Sequence, residues 1–478
     1  MLVLNKSRGL TEGMMSLKKV TLIFMIMLWG LSLNLYGGEK TVLTLDRSVE
    51  LALKNNPDIK KAEKEVAKSR AAIWEAYSTV LPSLDLNASM QHAWSIQENT
   101  IPNFLKPMLQ PLAPYIPGFQ DMPDYVRISF GLENTYRYGA TLTQPLYLGG
   151  AAMAGIKIAY AAKRAAEYNL ESKRQNLIYQ TSNAFYGCLL ARELVRVQEE
   201  ALEQAKANYD VVLKKYNVGM ASGLDKMRAQ VEVANLKPEV ISARNRYRAA
   251  ITGLRTILGL DKDTEIDVQG ALVYQQDDFF DKGLDEIQAL ALKNRPEVHA
   301  LYEQKSIAAK GVNIARSSFL PKLFFQTDYS YLAMKKDYNV SQRDFSKGFT
   351  SAISLQIPIF HGFKSSKQYQ KAKLDYKIVL DTEKQMTDGI LAEVEMAYNK
   401  FQEAKEKFAA ANESVSLARE ALRLANLTYD EGASTQLDVL NSRLALTRAQ
   451  LNYISSLYEY QMARYQLRKA AGVLKSVL

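Results

Sequence analysis

The feature that most limits how this chain can fold is that its sequence is written twice. The stretch LALKNNP at residues 51–57 returns as LALKNRP at 290–296, and LPSL at 81–84 returns as LPKL at 320–323, both 239 positions later. Further along the offset changes. Pro145 matches Pro358, Tyr216 matches Tyr429, Gly219 matches Gly432, Asp225 matches Asp438 and Gly259 matches Gly472, all 213 apart. Two constant offsets mean two homologous halves, the first carrying 26 extra residues between Leu84 and Pro145. A chain of 478 residues could hold two or three unrelated domains; a duplication points instead to one architecture built twice. The extra segment contains Pro102, Pro107, Pro111, Pro114, Pro117 and Pro123, six of the chain's thirteen prolines. Such a stretch is expected to be an excursion loop without helix or central strand.

Each half has the same order: a first helix, two short alternating segments, then a very long helical stretch that turns back on itself. The first repeat is read as residues 38–259, with strands near 83–92 and 134–147 and a helical hairpin over 150–259. A connector follows over 260–283. The second repeat, 284–478, has strands near 322–332 and 348–360 and a hairpin over 362–475. In the segment from Ser83 to Gln91 the odd positions are polar and the even ones apolar. Tyr136, Tyr138, Ala140 and Leu142 share a face in the second segment, as do Leu323, Phe325, Tyr329 and Tyr331 in the third. In the fourth, Phe349, Ile353, Leu355 and Ile357 do so. Period-two alternation over about ten residues marks a strand between two media. A half-buried soluble sheet satisfies it too. If the strands span a membrane, four cannot close a barrel, since such barrels start at about eight strands and an open edge cannot face lipid. Chains would then have to pool their strands, two copies giving eight, three twelve and four sixteen. Trp94, Tyr147 and Tyr331 near the segment ends suit an interfacial girdle.

The helical stretches carry heptads. Val394, Phe401, Phe408, Val415, Leu422 and Tyr429 recur at sevens, and Ala397, Ala404, Ala411, Ala418 and Ala425 fill the slots three residues on. That is a coiled-coil seam with alanine at every d position, which lets backbones approach closely. Shifted back by 213, Thr181, Cys188, Val195, Leu202, Tyr209 and Tyr216 form a looser seam in register. Cys188 therefore sits in a core slot as an inert buried thiol. The 67 residues 150–216 would reach roughly 100 Å as continuous helix. Hairpin tips fall at 217–223 and 430–436, and Pro238 is expected to kink the first return helix.

A basic pair, Lys18 and Lys19, precedes the apolar run 20–35, which reads as a signal peptide over residues 1–37, with the true start at Met14 or Met15. Cys188 is the only cysteine, so no intrachain disulfide forms and no lipid-modified amino terminus is expected. The net charge is +10, but Lys and Arg alternate with Glu and Asp along helices, a solvated pattern and not a nucleic-acid surface. His92, His299 and His361 lie at no ligand or triad spacing, and the glycines fit turns and not phosphate loops. No enzyme, metal site or cofactor is expected. A non-channel periplasmic or surface coiled-coil scaffold would explain the heptads but not the four alternating strands.

The ordered set of motifs, appearing twice, resembles the TolC-type outer-membrane efflux factor family over nearly the whole mature chain. It comprises the asparagine-proline motifs, Leu81-Pro82 and Leu320-Pro321, QPLYLGG at 144–150 and QIPIFHG at 356–362, and the tips YNVG at 216–219 and YDEG at 429–432. The resemblance implies a mixed α and β membrane protein in the outer membrane. Its four strands per chain would contribute to a homotrimeric 12-strand barrel, continued by an antiparallel coiled-coil tube in the periplasm with residues 261–283 in an equatorial domain. It implies a duct of tripartite efflux or type I secretion, served by a periplasmic adaptor and an inner-membrane transporter and surrounded by outer-membrane lipid. The chain runs only a few residues past Gly472, so the carboxy-terminal equatorial part of longer relatives would be largely missing. By position in the family motif, Asp225 and Asp438 would ring the pore constriction, with Tyr429 locking the closed tip. Departures are Asn441 in place of a second carboxylate, Ser434 in place of a locking arginine and Leu224 in place of a hydroxyl residue, which imply a weaker or differently built lock. Val218, Gly219, Met220, Gly432, Ala433 and Ser434 would dock the adaptor.

Overall fold

The computed structural model describes residues 41–129 and 131–474; the expected leader, 1–37, lies outside them. After strand β1 (Thr41–Leu43) come helices α1 (Leu45–Asn55) and α2 (Pro57–Ser78). Thr44 caps α1 by accepting the Arg47 N–H at 3.3 Å. The break between the two helices is local chemistry. Asn56 precedes a proline and takes extended backbone (ψ 128°), while Pro57 opens the next helix where no N–H is needed. The same break recurs at Arg295 (ψ 127°), between α6 (Leu284–Asn294) and α7 (Pro296–Ser317). Equal lengths return throughout. The first helices have 11 and 22 residues in each half, α4 (Ala151–Asn217) and α8 (Lys364–Asp430) have 67, and α5 (Gly223–Ile257) and α9 (Gln436–Ala470) have 35. Helix α5 passes through Pro238 without interruption.

The described residues divide into two compact units, one built from those up to Glu63, from Leu170–Val298 and from Thr387 onward, the other from those between Lys64 and Asn169 and from His299–Met386. The second unit holds an antiparallel sheet in the order β2 (Ser83–His92), β5 (Asn134–Leu148), β7 (Lys322–Lys335), β8 (Ser346–Gln356). Its register aligns Leu86, Ala140, Tyr329 and Phe349, then Ala88, Tyr138, Tyr331 and Lys347. Gly139 is required there, because a Cβ would sit 2.6 Å from the Tyr329 carbonyl. Strand β8 ends at Gln356, short of the expected 360 and before Pro358, which has no N–H to give a ladder.

The proline-rich excursion departs from expectation. A two-stranded ribbon, β3 (Glu98–Pro102) with β4 (Tyr125–Ser129), closes its base, and a short helix, α3 (Leu105–Leu109), follows β3. Pro107 sits in the first turn of α3, where its missing N–H costs nothing. Asn103 donates to the Pro123 carbonyl at 3.0 Å, and Lys106 reaches the Met122 carbonyl and the Asp124 carboxylate at 2.6 and 2.7 Å. Satisfied polar groups thus order a segment that composition alone reads as loop.

In the first unit, β1 pairs in parallel with β6 (Ile266–Val268), and both cover a core that includes Leu43, Ile59, Phe185, Cys188, Leu189, Leu254 and Leu258. Burial pushes the Cys188 thiol up to about 12, so it carries no thiolate at neutral pH. The connector lies along α8 and α9. Tyr274 packs against both Phe408 and Tyr460, at 4.9 Å each, Phe280 stacks on Phe401 at 4.7 Å, and the Tyr460 hydroxyl donates to the Gln275 carbonyl at 3.0 Å. Beneath this strap Val394, Ala397, Phe401 and Ala404 are buried. Beyond it the α8 seam is bare: across residues 405–427 only Phe408, Ala411, Val415, Ala418, Leu422 and Ala425 withdraw from solvent. The heptad row, and nothing else, faces inward there.

Candidate functional site

Both hairpin tips close by one mechanism. Helix α4 ends with Gly219 left-handed (φ 77°), and Met220 donates its N–H back to the Lys215 carbonyl at 2.8 Å. Helix α8 ends with Gly432 left-handed (φ 74°), and Ala433 donates to the Thr428 carbonyl at 2.8 Å. Glycine supplies the conformation that a Cβ would penalise, and the back-bonded N–H groups satisfy the last carbonyls. The return helices then open with reciprocal capping boxes. Asp225 N–H donates to Ser222 Oγ at 3.1 Å, while the Ser222 hydroxyl donates to Asp225 Oδ2 at 2.6 Å. Asp438 N–H donates to Thr435 Oγ1 at 3.3 Å, and the Thr435 hydroxyl and N–H donate to Asp438 Oδ2 at 2.6 and 2.9 Å. These donations from Thr435, hydroxyl first, hold the Asp438 carboxyl below the usual carboxylate range.

The predicted residues therefore cluster within each tip. Among the described residues no direct bond joins Asp225 to Asp438. Asp438 and Asn441 are exposed and Asp225 is half-buried, with Arg228 3.9 Å away. Val218 and Met220 are 70% and 77% exposed, and Gly219, Gly432 and Ala433 are exposed as well. Ser434 is half-buried; it accepts from the Thr428 hydroxyl at 3.1 Å. Tyr429 is half-buried beneath the ammonium of Lys215, 4.1 Å from its ring centre.

Two links between the hairpins were not foreseen from sequence. Lys215 on α4 also meets the Asp430 carboxylate on α8 at 3.2 Å. Deeper in, Arg443 on α9 meets Glu232 on α5 at 3.5 Å, with side chains only 9% and 5% exposed. Burial pushes the Glu232 carboxyl up against the opposing pull of Arg443, and lowers Arg443. An apolar groove of about 490 Å³ opens beside Glu232, lined by Leu224, Met227, Val231, Leu440 and Leu444. No sequence signal marks these pairs, because the positions 213 away are Thr428, Asn217, Gln230 and Ala445, none of them charged.

The other unit presents a second surface. One face of the four-stranded sheet carries Leu84, Leu86, Met90, Phe349, Ile353 and Leu355, all more than half exposed. The opposite face is polar, and there Arg137 and the Thr141 hydroxyl reach Asp328 at 3.1 and 2.9 Å. Left in water, each bare Leu, Ile or Phe forgoes about 1.5–3 kcal/mol of burial. Among the described residues both edge strands, β2 and β8, have a single partner. Tyr138 and Tyr331 stack at 5.0 Å toward one end of the sheet, and Tyr147 stands at the other. The nine steps from Tyr138 to Tyr147 span roughly 30 Å along the strand. Among the described residues no helix is long and apolar enough to cross a membrane, and no group of three or more His, Cys, Asp or Glu could hold a metal ion.

Known proteins resemble this chain over most of its length. A family model described as "Outer membrane efflux protein" matches residues 48–260 and 288–473. The chain is 24% identical over 459 residues to the alkaline protease secretion protein AprF of Pseudomonas aeruginosa, covering 94% of this chain and 89% of that protein. It is 20% identical over 454 residues to the outer membrane protein TolC of Escherichia coli, covering 93% and 85%. Its fold is similar to the Campylobacter jejuni CmeC outer membrane channel, with a TM-score of 0.71 at 21% identity over 90% of this chain and 85% of that one.

Proposed function

This chain belongs to the outer membrane efflux protein family, and from that premise we propose that three copies form a duct across the outer membrane. Each copy contributes four strands to a 12-strand barrel, and the helical hairpins continue it as a tube into the periplasm. The observation that carries this reading is the sheet: one bare apolar face and two unpaired edges. Lipid covers the first at no cost, but it cannot satisfy the N–H and C=O groups of the second. Pairing β2 of one copy with β8 of the next removes every edge, and puts Arg137 and Asp328 inside.

The duct serves a tripartite efflux or type I secretion system. A periplasmic adaptor docks on the exposed tip residues Val218, Gly219, Met220, Gly432 and Ala433 beside Ser434, and an inner-membrane transporter supplies the cargo. The proline-rich excursion lies on the extracellular side. Asp225 and Asp438 converge on the threefold axis as the charged constriction. Three copies of each carboxylate around one axis attract cations, and the helix N-termini that hold them offset their mutual repulsion. The test is the mass of the detergent-solubilised protein by light scattering. A trimer with intact β content is expected; a monodisperse monomer or dimer with the same β content would sink the reading.

A further inference from the structure

Where the sheet gives way to helices, a cavity of about 330 Å³ opens between the start of α4 and the end of α7. Lys157 of α4 and Lys310 and Arg316 of α7 line it, beside Met153, Asn313 and Leu320, and no carboxylate does. Other cations on α4 are matched: Lys163 meets Glu167 at 3.1 Å, and Arg164 meets Glu303 at 2.7 Å. Among the described residues Lys157, Lys310 and Arg316 have no such partner. Three like charges around one void repel. The fold does not require them. The repeat offsets map Lys157 onto Gln370, Lys310 onto Ala71 and Arg316 onto Tyr77. The other repeat makes the same turn without them, Gly362 (φ 58°) answering Gly149 (φ 62°). Arg316, in the last turn of α7, also complements that helix end, but Lys157 and Lys310 lie inside their helices.

The cavity adjoins the bare apolar face of the sheet. Tyr147, Leu323 and Leu355 form one row across that face. Gly149, two residues beyond Tyr147, lines the cavity, and so does Leu320, three residues before Leu323. We infer that the cavity binds the phosphate headgroup of an anionic phospholipid, whose acyl chains lie along the row of Tyr147, Leu323 and Leu355. That assignment rests on the duct reading, which puts this end of the sheet at the periplasmic leaflet of the outer membrane. The Arg316 guanidinium and the two ammonium groups donate to phosphate oxygens, which take the place of the missing carboxylates. Basic pockets at the edge of a membrane select lipid headgroups in this way. A free phosphate would use the cations but leave the apolar row in water.

Native mass spectrometry of the detergent-solubilised protein tests this, with dioleoyl phosphatidylglycerol, dioleoyl phosphatidylcholine and inorganic phosphate as probes. The parent is expected to retain phosphatidylglycerol in preference to phosphatidylcholine. Lys157→Gln with Lys310→Ala installs the residues of the other repeat. It should lower retention of phosphatidylglycerol about tenfold and leave phosphatidylcholine unchanged. Lys157→Arg with Lys310→Arg keeps the charge and should retain the anionic lipid as the parent does. Equal retention of the two lipids by the parent would overturn the proposal, as would an unchanged preference in the neutral variant or a lost one in the arginine variant. Displacement of the lipid by millimolar inorganic phosphate would overturn it too, because the occupant would then be a free anion. A chain that stays in solution without detergent would fail earlier, at the duct reading itself, and take the site with it.

Discussion

Two regions of this chain leave most of their side chains uncovered, and they do so with opposite chemistry. On the sheet the bare residues of one face are Leu84, Leu86, Phe349, Ile353 and Leu355. On the distal half of α8 the bare residues are mostly charged, polar or small, with Leu417, Leu424 and Leu427 the apolar exceptions, and pairs such as Lys407–Glu403 at 2.6 Å and Arg423–Glu420 at 2.7 Å lie along its surface. Exposure alone cannot separate the two. Period and chemistry can: a period of two with apolar residues outward calls for lipid, and a period of seven with apolar residues inward calls for water outside and a partner helix within. One chain is built for two solvents, and its duplication supplies both surfaces twice.

The largest test strikes the helical region where it is best covered. Phe401 is 2% exposed and packs on Phe280 and Tyr460, so Phe401→Ala should cost about 3–5 kcal/mol. Val415→Ala, on the bare stretch of the same seam, should cost about 1 kcal/mol, since less area leaves contact. Urea midpoints followed by circular dichroism would measure both. Equal costs would mean that assembly covers the distal seam as fully as the connector covers the proximal one.

The second test strikes the sheet. Ile353→Arg puts a charge on the apolar face and should cost about 2–4 kcal/mol if that face meets lipid near mid-membrane. Its neighbour Ser354 points to the polar face, so Ser354→Arg should be nearly neutral. Heat-modifiable migration of the trimer on gels reads the difference. Equal tolerance of the two would break the comparison, because both faces would then be in water.

Much of this was legible because periodicity is a local property. The α8 heptads name the residues that withdraw across 405–427, and the strand alternation names the bare face. What the sequence hides is contact without period. Glu232 and Arg443 sit on different hairpins, and no rule of spacing says which flank of one return helix meets the other. The excursion misled through composition: its prolines forbid long helix, yet Asn103 and Lys106 satisfy enough backbone groups to order short elements. The tips fell between these cases. The matched glycines and aspartates located both turns, but not the hydroxyl caps at Ser222 and Thr435 or what the carboxylates would face.

A smaller effect comes from the caps themselves. Thr435→Ala removes the hydroxyl that binds both the N–H and the carboxylate of Asp438, and should cost about 1 kcal/mol. Ser222→Ala should cost a similar amount in the first hairpin. The two tips are chemically parallel, so unequal losses would show that assembly loads one more than the other.

The smallest change in stability, and the most informative about the constriction, is expected from Asp438→Asn. The amide oxygen can still accept from the Thr435 hydroxyl and N–H, so the helix start survives while the charge is gone. If three Asp438 carboxylates ring the axis, cation selectivity and block by trivalent cations in planar bilayers should fall by a factor of a few. Asn441→Asp adds a carboxylate three residues along the same helix face and should strengthen that block. The pH dependence follows from the Thr435 bonds. They lower the folded-state value of Asp438, so its charge and its stabilising contribution are present above the ordinary aspartate value of about 3.9 and fade only as pH drops through the lower folded one. Selectivity should therefore stay level from pH 7 to about 4, and Thr435→Ala should bring its loss to higher pH. If the double variant Asp225→Asn with Asp438→Asn keeps both selectivity and block, the carboxylates are helix caps alone and the constriction lies elsewhere.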